Sequence, residues 1–128
     1  MKNFDIAERK ENSIVILDLT GRIIFGEGST ELHRILRQLV ERGERRILLN
    51  FSEVSYIDSS GFGELVGGFV AAKRIGGEIK LFNLSPNVFD LFELTKLNMV
   101  FDVYQTESEG IEGFSQQPDK SVSVSPQI

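Results

Sequence analysis

The chain has 128 residues, a formal charge of −5 and no cysteine, and 41% of its residues are hydrophobic. This length fits one domain, and the composition is that of an ordinary globular protein. The acidic balance argues against nucleic acid or a membrane surface as the partner, and the lack of cysteine excludes disulfides and thiolate metal sites. No apolar signal region begins the sequence and no apolar run approaches the ~18 residues of a membrane helix, so we expect a cytoplasmic protein.

The first part of the sequence predicts a β-hairpin followed by a helix. Phe4 and Ile6 alternate with polar residues, and a β-branched run at 14–19 follows a polar turn, so these segments should pair as antiparallel strands. A loop containing glycine comes next, and Ser29 or Thr30 is the expected N-cap of the following helix. The predicted buried face of this helix comprises Leu32, Ile35, Leu36, Leu39 and Val40.

The rest of the domain is predicted to alternate strands and helices. Apolar runs at 46–51, 79–84 and 100–104 are typical of buried strands. Ser85 and Pro86 predict a helix start, because serine is a good N-cap and proline fits the first helical position. Short crossovers through single helices imply mostly parallel pairing. The fold class is therefore α/β, with a mixed sheet covered by helices.

The composition changes after Tyr104. Gly110 and Gly113 would each weaken a helix there by about 1 kcal/mol relative to alanine. The last residues are mostly Ser, Gln, Pro and Asp. We therefore predict a single domain over residues 1–106 and a weakly structured or disordered tail over residues 107–128.

The candidate site lies between the strand at 46–51 and the next helix. It contains Asp58, Ser59, Ser60 and Gly61, and either Asp58 or Ser59 is the expected N-cap. That position places the Ser59 hydroxyl at an exposed helix N-terminus, beside backbone N–H groups without partners. These residues could simply cap the helix. The second hydroxyl and the glycines that follow favour a further role, because such a helix needs either close packing or a bare, approachable surface.

The run at 54–63 resembles the signature of STAS domains of the bacterial anti-sigma factor antagonist type. Softer matches extend the resemblance from about Phe4 to Tyr104. It implies a STAS-like fold, in which an N-terminal hairpin precedes alternating helices and strands. In this family, the serine directly after the aspartate is phosphorylated by an anti-sigma factor that is also a kinase, and here that serine is Ser59.

The resemblance implies an antagonist that binds an anti-sigma factor serine kinase and so releases a sigma factor for transcription. Phosphorylation of Ser59 would switch this binding off, and a serine phosphatase would restore it. No direct binding of nucleic acid or membrane, no catalytic residue, no cofactor and no metal are implied, and the oligomeric state stays open between monomer and weak dimer. The expected partner-binding residues are Asp58, Ser59, Ser60, Gly61, Phe62 and Glu64, with Ile24 and Glu27 in the neighbouring loop.

One position departs from the family pattern. Relatives commonly carry an acid in a Gly-x-x-Asp arrangement after the second strand, but here Ile24 follows Gly21 at that spacing. Glu27 is a candidate substitute, and exposed Ile23, Ile24 or Phe25 could instead make an apolar contact with a partner. Core packing is the commoner fate of such residues.

Two alternatives stay open at this point. The first is a STAS accessory module that scaffolds a larger complex, such as a transporter, without a serine switch. The second is a nucleotide-binding or hydrolytic protein that uses Ser59 and the helix N-terminus as an anion site. An enzyme is poorly supported, because Ser59 is not in a Gly-x-Ser-x-Gly elbow and no P-loop is present. His33, the one histidine, is expected to be a surface or half-buried residue and not a base.

Overall fold

The chain forms a hairpin and then alternates helices with strands. The structure is a computed structural model and describes residues 3–115. A short 3₁₀ turn at Leu97–Met99 precedes the last strand. The elements in chain order are β1 (Phe4–Glu11), β2 (Ile14–Ile23), α1 (Glu27–Glu41), β3 (Arg46–Ile57), α2 (Ser59–Arg74), β4 (Glu78–Phe82), α3 (Pro86–Leu94), β5 (Val103–Tyr104) and α4 (Glu107–Ser115).

The strands form one five-stranded sheet in the order β1-β2-β3-β4-β5. β1 pairs antiparallel with β2, and every later pair is parallel. The predicted α/β fold with a mixed, mostly parallel sheet is therefore confirmed. Because parallel strands point the same way, β2, β3 and β4 end at one edge of the sheet, and α1, α2 and α3 begin there. We call this the carboxyl edge.

The first three helices bury one face of the sheet. This face contributes alternate residues of β2 and β3, which are almost wholly removed from solvent. Phe92 of α3 lies at its centre and makes edge-to-face contacts with Phe51 at 5.9 Å and Phe62 at 5.0 Å between ring centroids. Such aromatic pairs add to the stabilisation from apolar burial and fix the orientation of α2 and α3 on the sheet.

α4 covers part of the opposite face, so the prediction of a weakly structured tail is wrong for residues 107–115. The helix buries Phe114 in a second, smaller cluster with Leu48. A side chain at Gly110 would collide with Leu48, and one at Gly113 would collide with the ring of Tyr104. Glycine therefore lets α4 lie directly on the sheet. Residues 116–128 of the predicted tail lie outside the described residues.

Charged side chains also hold α4 in place. Arg9 of β1 donates to Asp18 at 2.7 Å and to Glu107, the first residue of α4, at 2.5 Å. These bonds from Arg9 hold the pKa of both carboxyl groups below the usual range. Lys80 is fully buried beneath α4, where its Nζ donates to Asp102 at 2.5 Å. Lys80 Nζ also lies 5.3 Å from the centre of the Phe114 ring.

The start of α1 differs from the prediction. The helix begins at Glu27, and Ser29, one of the two expected N-caps, is buried inside its first turn. Gly26 has a φ of 96°, a conformation that favours glycine, and it turns the chain into the helix before Ser29 is reached. The N–H of Ser29 donates to the carbonyl oxygen of Ile24 at 2.9 Å, which closes this turn.

Candidate functional site

The candidate site lies at the carboxyl edge, where β2 and β3 end side by side. Ile23 and Ile57 are partners in the parallel register at the ends of these strands. Ile24 lies in the turn that follows β2, and Glu27 is the first residue of α1. Asp58 and the first turn of α2 follow β3. The fold thus brings together two segments that are separated by more than thirty residues in the chain.

Asp58 is the N-cap of α2 and also ties the two segments together. One oxygen of its carboxylate accepts from the N–H of Gly61, and the other accepts from the N–H of Phe25, each at 3.0 Å. Desolvation is the largest influence on its pKa and raises it, but these bonds, with one from the N–H of Ser60, outweigh it and lower the pKa of Asp58. Asp58 therefore stays ionised and holds the geometry of the site.

Ser59 is the first residue of α2 and is exposed to solvent. Because Asp58 supplies the cap, the Ser59 hydroxyl is not needed to close the helix, and it makes no hydrogen bond within residues 3–115. Ser60 beside it is half-buried. A hydroxyl in this position is accessible to a second molecule and lies at the positive end of the helix dipole.

Gly61 and Phe62 hold the helix and do not face outward. Any side chain at Gly61 would collide with the carbonyl oxygen of Ile23 and with Ile57, so this glycine lets α2 approach the end of β2. Phe62 is 8% exposed and packs against Phe92. Both positions are buried within the chain, and the expectation that Gly61 and Phe62 contact a partner stays a prediction.

The remaining predicted residues lie at the rim of the site. The Glu64 carboxylate accepts a hydrogen bond from Nδ1 of His33 at 2.7 Å, and this pair joins α1 to α2. His33 is half-exposed, with 51% of its side chain accessible, which agrees with the expected surface position. Glu27 is exposed, and its carboxylate lies 3.5 Å from the N–H of Asn3.

The loop after β2 presents an apolar side chain that the motif did not single out. Ile23 is fully buried, Ile24 is half-buried, and Phe25 is 83% exposed. The sequence left these three neighbours equivalent as possible contacts. Only the position of each side chain at the end of β2 separates them, because alternate residues of a strand point to opposite sides and the strand ends here.

The Ser59 hydroxyl is a group at the carboxyl edge that a second molecule can reach. Within residues 3–115, no group of three or more His, Cys, Asp or Glu side chains could hold a metal ion. No helix in that part of the chain has the length and apolar character needed to cross a membrane. The N-terminus of α2 offers backbone N–H groups and a favourable dipole to an anion attached at Ser59.

A family model and a curated relative indicate the same family. Residues 5–110 match the STAS domain. The Anti-sigma-B factor antagonist of Bacillus subtilis is 38% identical over 109 residues, which cover 84% of this chain and 94% of that protein.

Solved structures of the antagonist SpoIIAA share the fold. Its unphosphorylated form has a TM-score of 0.76 at 22% identity, covering 89% of this chain and 99% of that chain. The phosphorylated form of the Bacillus cell fate determinant SpoIIAA has a TM-score of 0.68 at 22% identity, covering 86% of this chain and 99% of that chain.

Proposed function

The chain belongs to the STAS domain family, alongside anti-sigma factor antagonists, and on this basis we propose that it is an antagonist whose binding is switched by phosphorylation of Ser59. In the unmodified state it binds an anti-sigma factor that is also a serine kinase, and a sigma factor is released. Phosphorylation ends this binding, and a serine phosphatase restores it. The protein acts in the cytoplasm and performs no catalytic step of its own.

The accessible Ser59 hydroxyl is the observation that carries this proposal. Asp58 does the work of capping α2, so a group added to Ser59 does not remove a bond that the fold needs. A phosphate adds about −1.5 to −2 charges at neutral pH. The helix N-terminus favours an anion at this position, so the modified domain stays folded. SpoIIAA, whose structure is known with and without the phosphate, has the same fold.

The phosphate on Ser59 weakens binding to the partner and leaves the fold intact. A kinase must bring the terminal phosphate of ATP to the Ser59 oxygen, which attacks that phosphorus while the bond to ADP breaks and the hydroxyl proton leaves to a base. The partner surface opposite Ser59 therefore holds nucleotide phosphates when the transfer is complete. Phosphoserine then meets like charge in a desolvated interface, which costs several kcal/mol and lowers affinity by a hundredfold or more.

The departure at Ile24 bears on how the kinase recognises this loop. Ile24 is half-buried and apolar, so it does not supply the acid that relatives carry at this spacing. Glu27, the first residue of α1, is exposed and is the nearest carboxylate that follows Ile24 in the chain. We therefore assign kinase recognition at the start of α1 to Glu27.

A binding experiment in the native cell tests the proposal. Wild type, Ser59→Ala and Ser59→Asp are used as bait, and captured proteins are identified by mass spectrometry. We expect the first two to retain an anti-sigma factor and Ser59→Asp to lose it, with melting temperatures unchanged. The captured protein with ATP should add one phosphate to wild type and none to Ser59→Ala. Capture of no anti-sigma factor, or a phosphate elsewhere, would contradict the proposal.

The presence of Ile24 also favours a second candidate, a STAS scaffold without a serine switch. Without the usual acid in the loop, partner binding could persist while phosphorylation is lost. In that case Ser59→Asp binds the same partner as wild type, and incubation with that partner and ATP leaves the mass of the protein unchanged.

A further inference from the structure

We propose that Phe25 is the apolar anchor through which the anti-sigma factor holds this protein, and that Asp58 positions it beside Ser59. This inference rests on the proposed function and adds a residue that the family motif does not contain. The side chain of Phe25 is 83% exposed. Isolated exposed apolar residues are common, so exposure alone does not define a contact.

The backbone around Phe25 is held in a single arrangement. Its N–H donates to the Asp58 carboxylate at 3.0 Å, and on either side of it the carbonyls of Ile24 and Gly26 accept from the first turn of α1 at 2.9 and 3.0 Å. The aromatic ring is therefore presented from an ordered turn. An anchor of this kind loses little conformational freedom on binding, which is why preorganised aromatic residues dominate many interfaces.

The same carboxylate connects Phe25 to the proposed switch. Asp58 receives one hydrogen bond from Phe25 and one from Gly61 in the first turn of α2, which Ser59 begins. The backbone of Phe25 is therefore bonded to the residue that directly precedes Ser59 in the chain. A partner that covers the Ser59 hydroxyl meets the Phe25 ring at the same edge of the sheet.

The charges around Phe25 favour a protein partner with a basic rim. Glu27 and the ionised Asp58 are its acidic neighbours, and the chain carries a net charge of −5. Two copies of this edge would bring like charges together, and an anionic bilayer would be repelled. The occupant that fits is an apolar pocket on the anti-sigma factor, bordered by Lys or Arg side chains that pair with Glu27.

Titration of the purified partner tests this inference. The anti-sigma factor captured in the native cell is titrated by calorimetry against wild type, Phe25→Leu and Phe25→Ala. The matched control is Leu94→Ala, because Leu94 is 79% exposed and ends α3 at the opposite edge of the sheet. We expect Phe25→Ala to weaken binding tenfold or more, Phe25→Leu to fall between it and wild type, and Leu94→Ala to match wild type. Melting temperatures should be unchanged.

The possible outcomes separate this inference from the proposed function. If Ser59→Asp loses the partner while Phe25→Ala binds like wild type, the anchor is wrong and the switch stands. If wild type captures no anti-sigma factor, both fail. Sedimentation velocity tests whether a second copy of the chain binds at Phe25. Binding to anionic phosphatidylglycerol vesicles tests whether a membrane does. Loss of a dimer or of vesicle binding in Phe25→Ala, with partner affinity unchanged, would overturn the anchor.

Discussion

The first backbone N–H groups of α2 and α3 are capped by different kinds of side chain. Both helices follow a parallel strand and start at the carboxyl edge. In α3 the hydroxyl of Ser85 caps the helix by accepting from the N–H of Val88 at 3.3 Å. In α2 a carboxylate, Asp58, has that role, and the serine moves one position into the helix. In α2 the serine hydroxyl stays exposed and without a hydrogen bond in the described residues, because the Asp58 side chain caps the helix.

The first helical position sharpens the contrast. Pro86 occupies it in α3 and has no N–H, so that end of the helix has one donor fewer for an anion. Ser59 occupies it in α2 and keeps both an N–H and an exposed hydroxyl. Two positions further on, α3 has the fully buried Val88, whereas α2 has Gly61 pressed against the end of β2. At this position α2 packs on the sheet through its backbone, whereas α3 packs through the Val88 side chain.

The largest expected loss of stability comes from adding a side chain at Gly61, where the backbone of α2 contacts the end of β2. Gly61→Ala should lower the free energy of unfolding by about 3 kcal/mol, because the new methyl group meets a carbonyl oxygen that cannot move without breaking the β2–β3 pairing. The matched control is Gly63→Ala in the next turn, where an added Cβ meets nothing within 4 Å. It should raise stability by about 0.5–1 kcal/mol. Urea denaturation measures both, and equal effects of the two substitutions would contradict this account of α2.

The two caps should differ in strength. Asp58→Ala should cost about 2 kcal/mol, because an ionised acceptor of two N–H bonds is lost, whereas Ser85→Ala should cost about 1 kcal/mol. The pKa of Asp58 is lowered in the folded state, so its contribution is complete above its unfolded pKa of about 4 and fades as the pH falls below it. Denaturation at a series of pH values falling from pH 7 tests this, because the Asp58→Ala deficit should shrink as the pH falls through the lowered pKa of the folded state. A deficit that stays constant over the whole series would show that the carboxylate charge is not the cause.

The smallest expected change in stability is that of Ser59→Ala, and the proposed switch depends on its being small. Ser59→Ala should change the free energy of unfolding by less than about 0.5 kcal/mol, because the hydroxyl makes no bond in the described part of the chain. Thermal unfolding beside Ser85→Ala measures the difference between a free and a capping serine. If the two substitutions destabilise equally, Ser59 has a structural role and the contrast between the helices is lost.

The sequence predicts the elements that depend on local patterns. The hairpin, the parallel order and the start of α3 at Ser85 and Pro86 follow from alternation, crossover length and capping preferences, and the structure confirms them. The choice between Asp58 and Ser59 as the cap of α2 could not be made this way. Both residues are good caps by type, and the Asp58 carboxylate also accepts from the N–H of Phe25, which belongs to a segment remote in the chain.

Tertiary packing overrides the local sequence preference at α4 and decides which aromatic residues near the motif are exposed. Gly110 and Gly113 predict a poor helix, yet α4 forms and packs closely on Leu48 and Tyr104, where a larger side chain would crowd these neighbours. Phe62 belongs to the motif but is buried, whereas Phe25 lies outside it and is exposed. A family signature therefore records packing and function together, and the structure is needed to separate them.

The strand order has a consequence for synthesis. Each strand pairs with the strand that precedes it in the chain, so no strand must wait for a later one to fill a gap between them. As the polypeptide leaves the ribosome, every new strand can add to an edge that is already formed. The last strand within residues 3–115 is only two residues long, Val103–Tyr104, so the edge that β5 forms is too short to template pairing with another molecule.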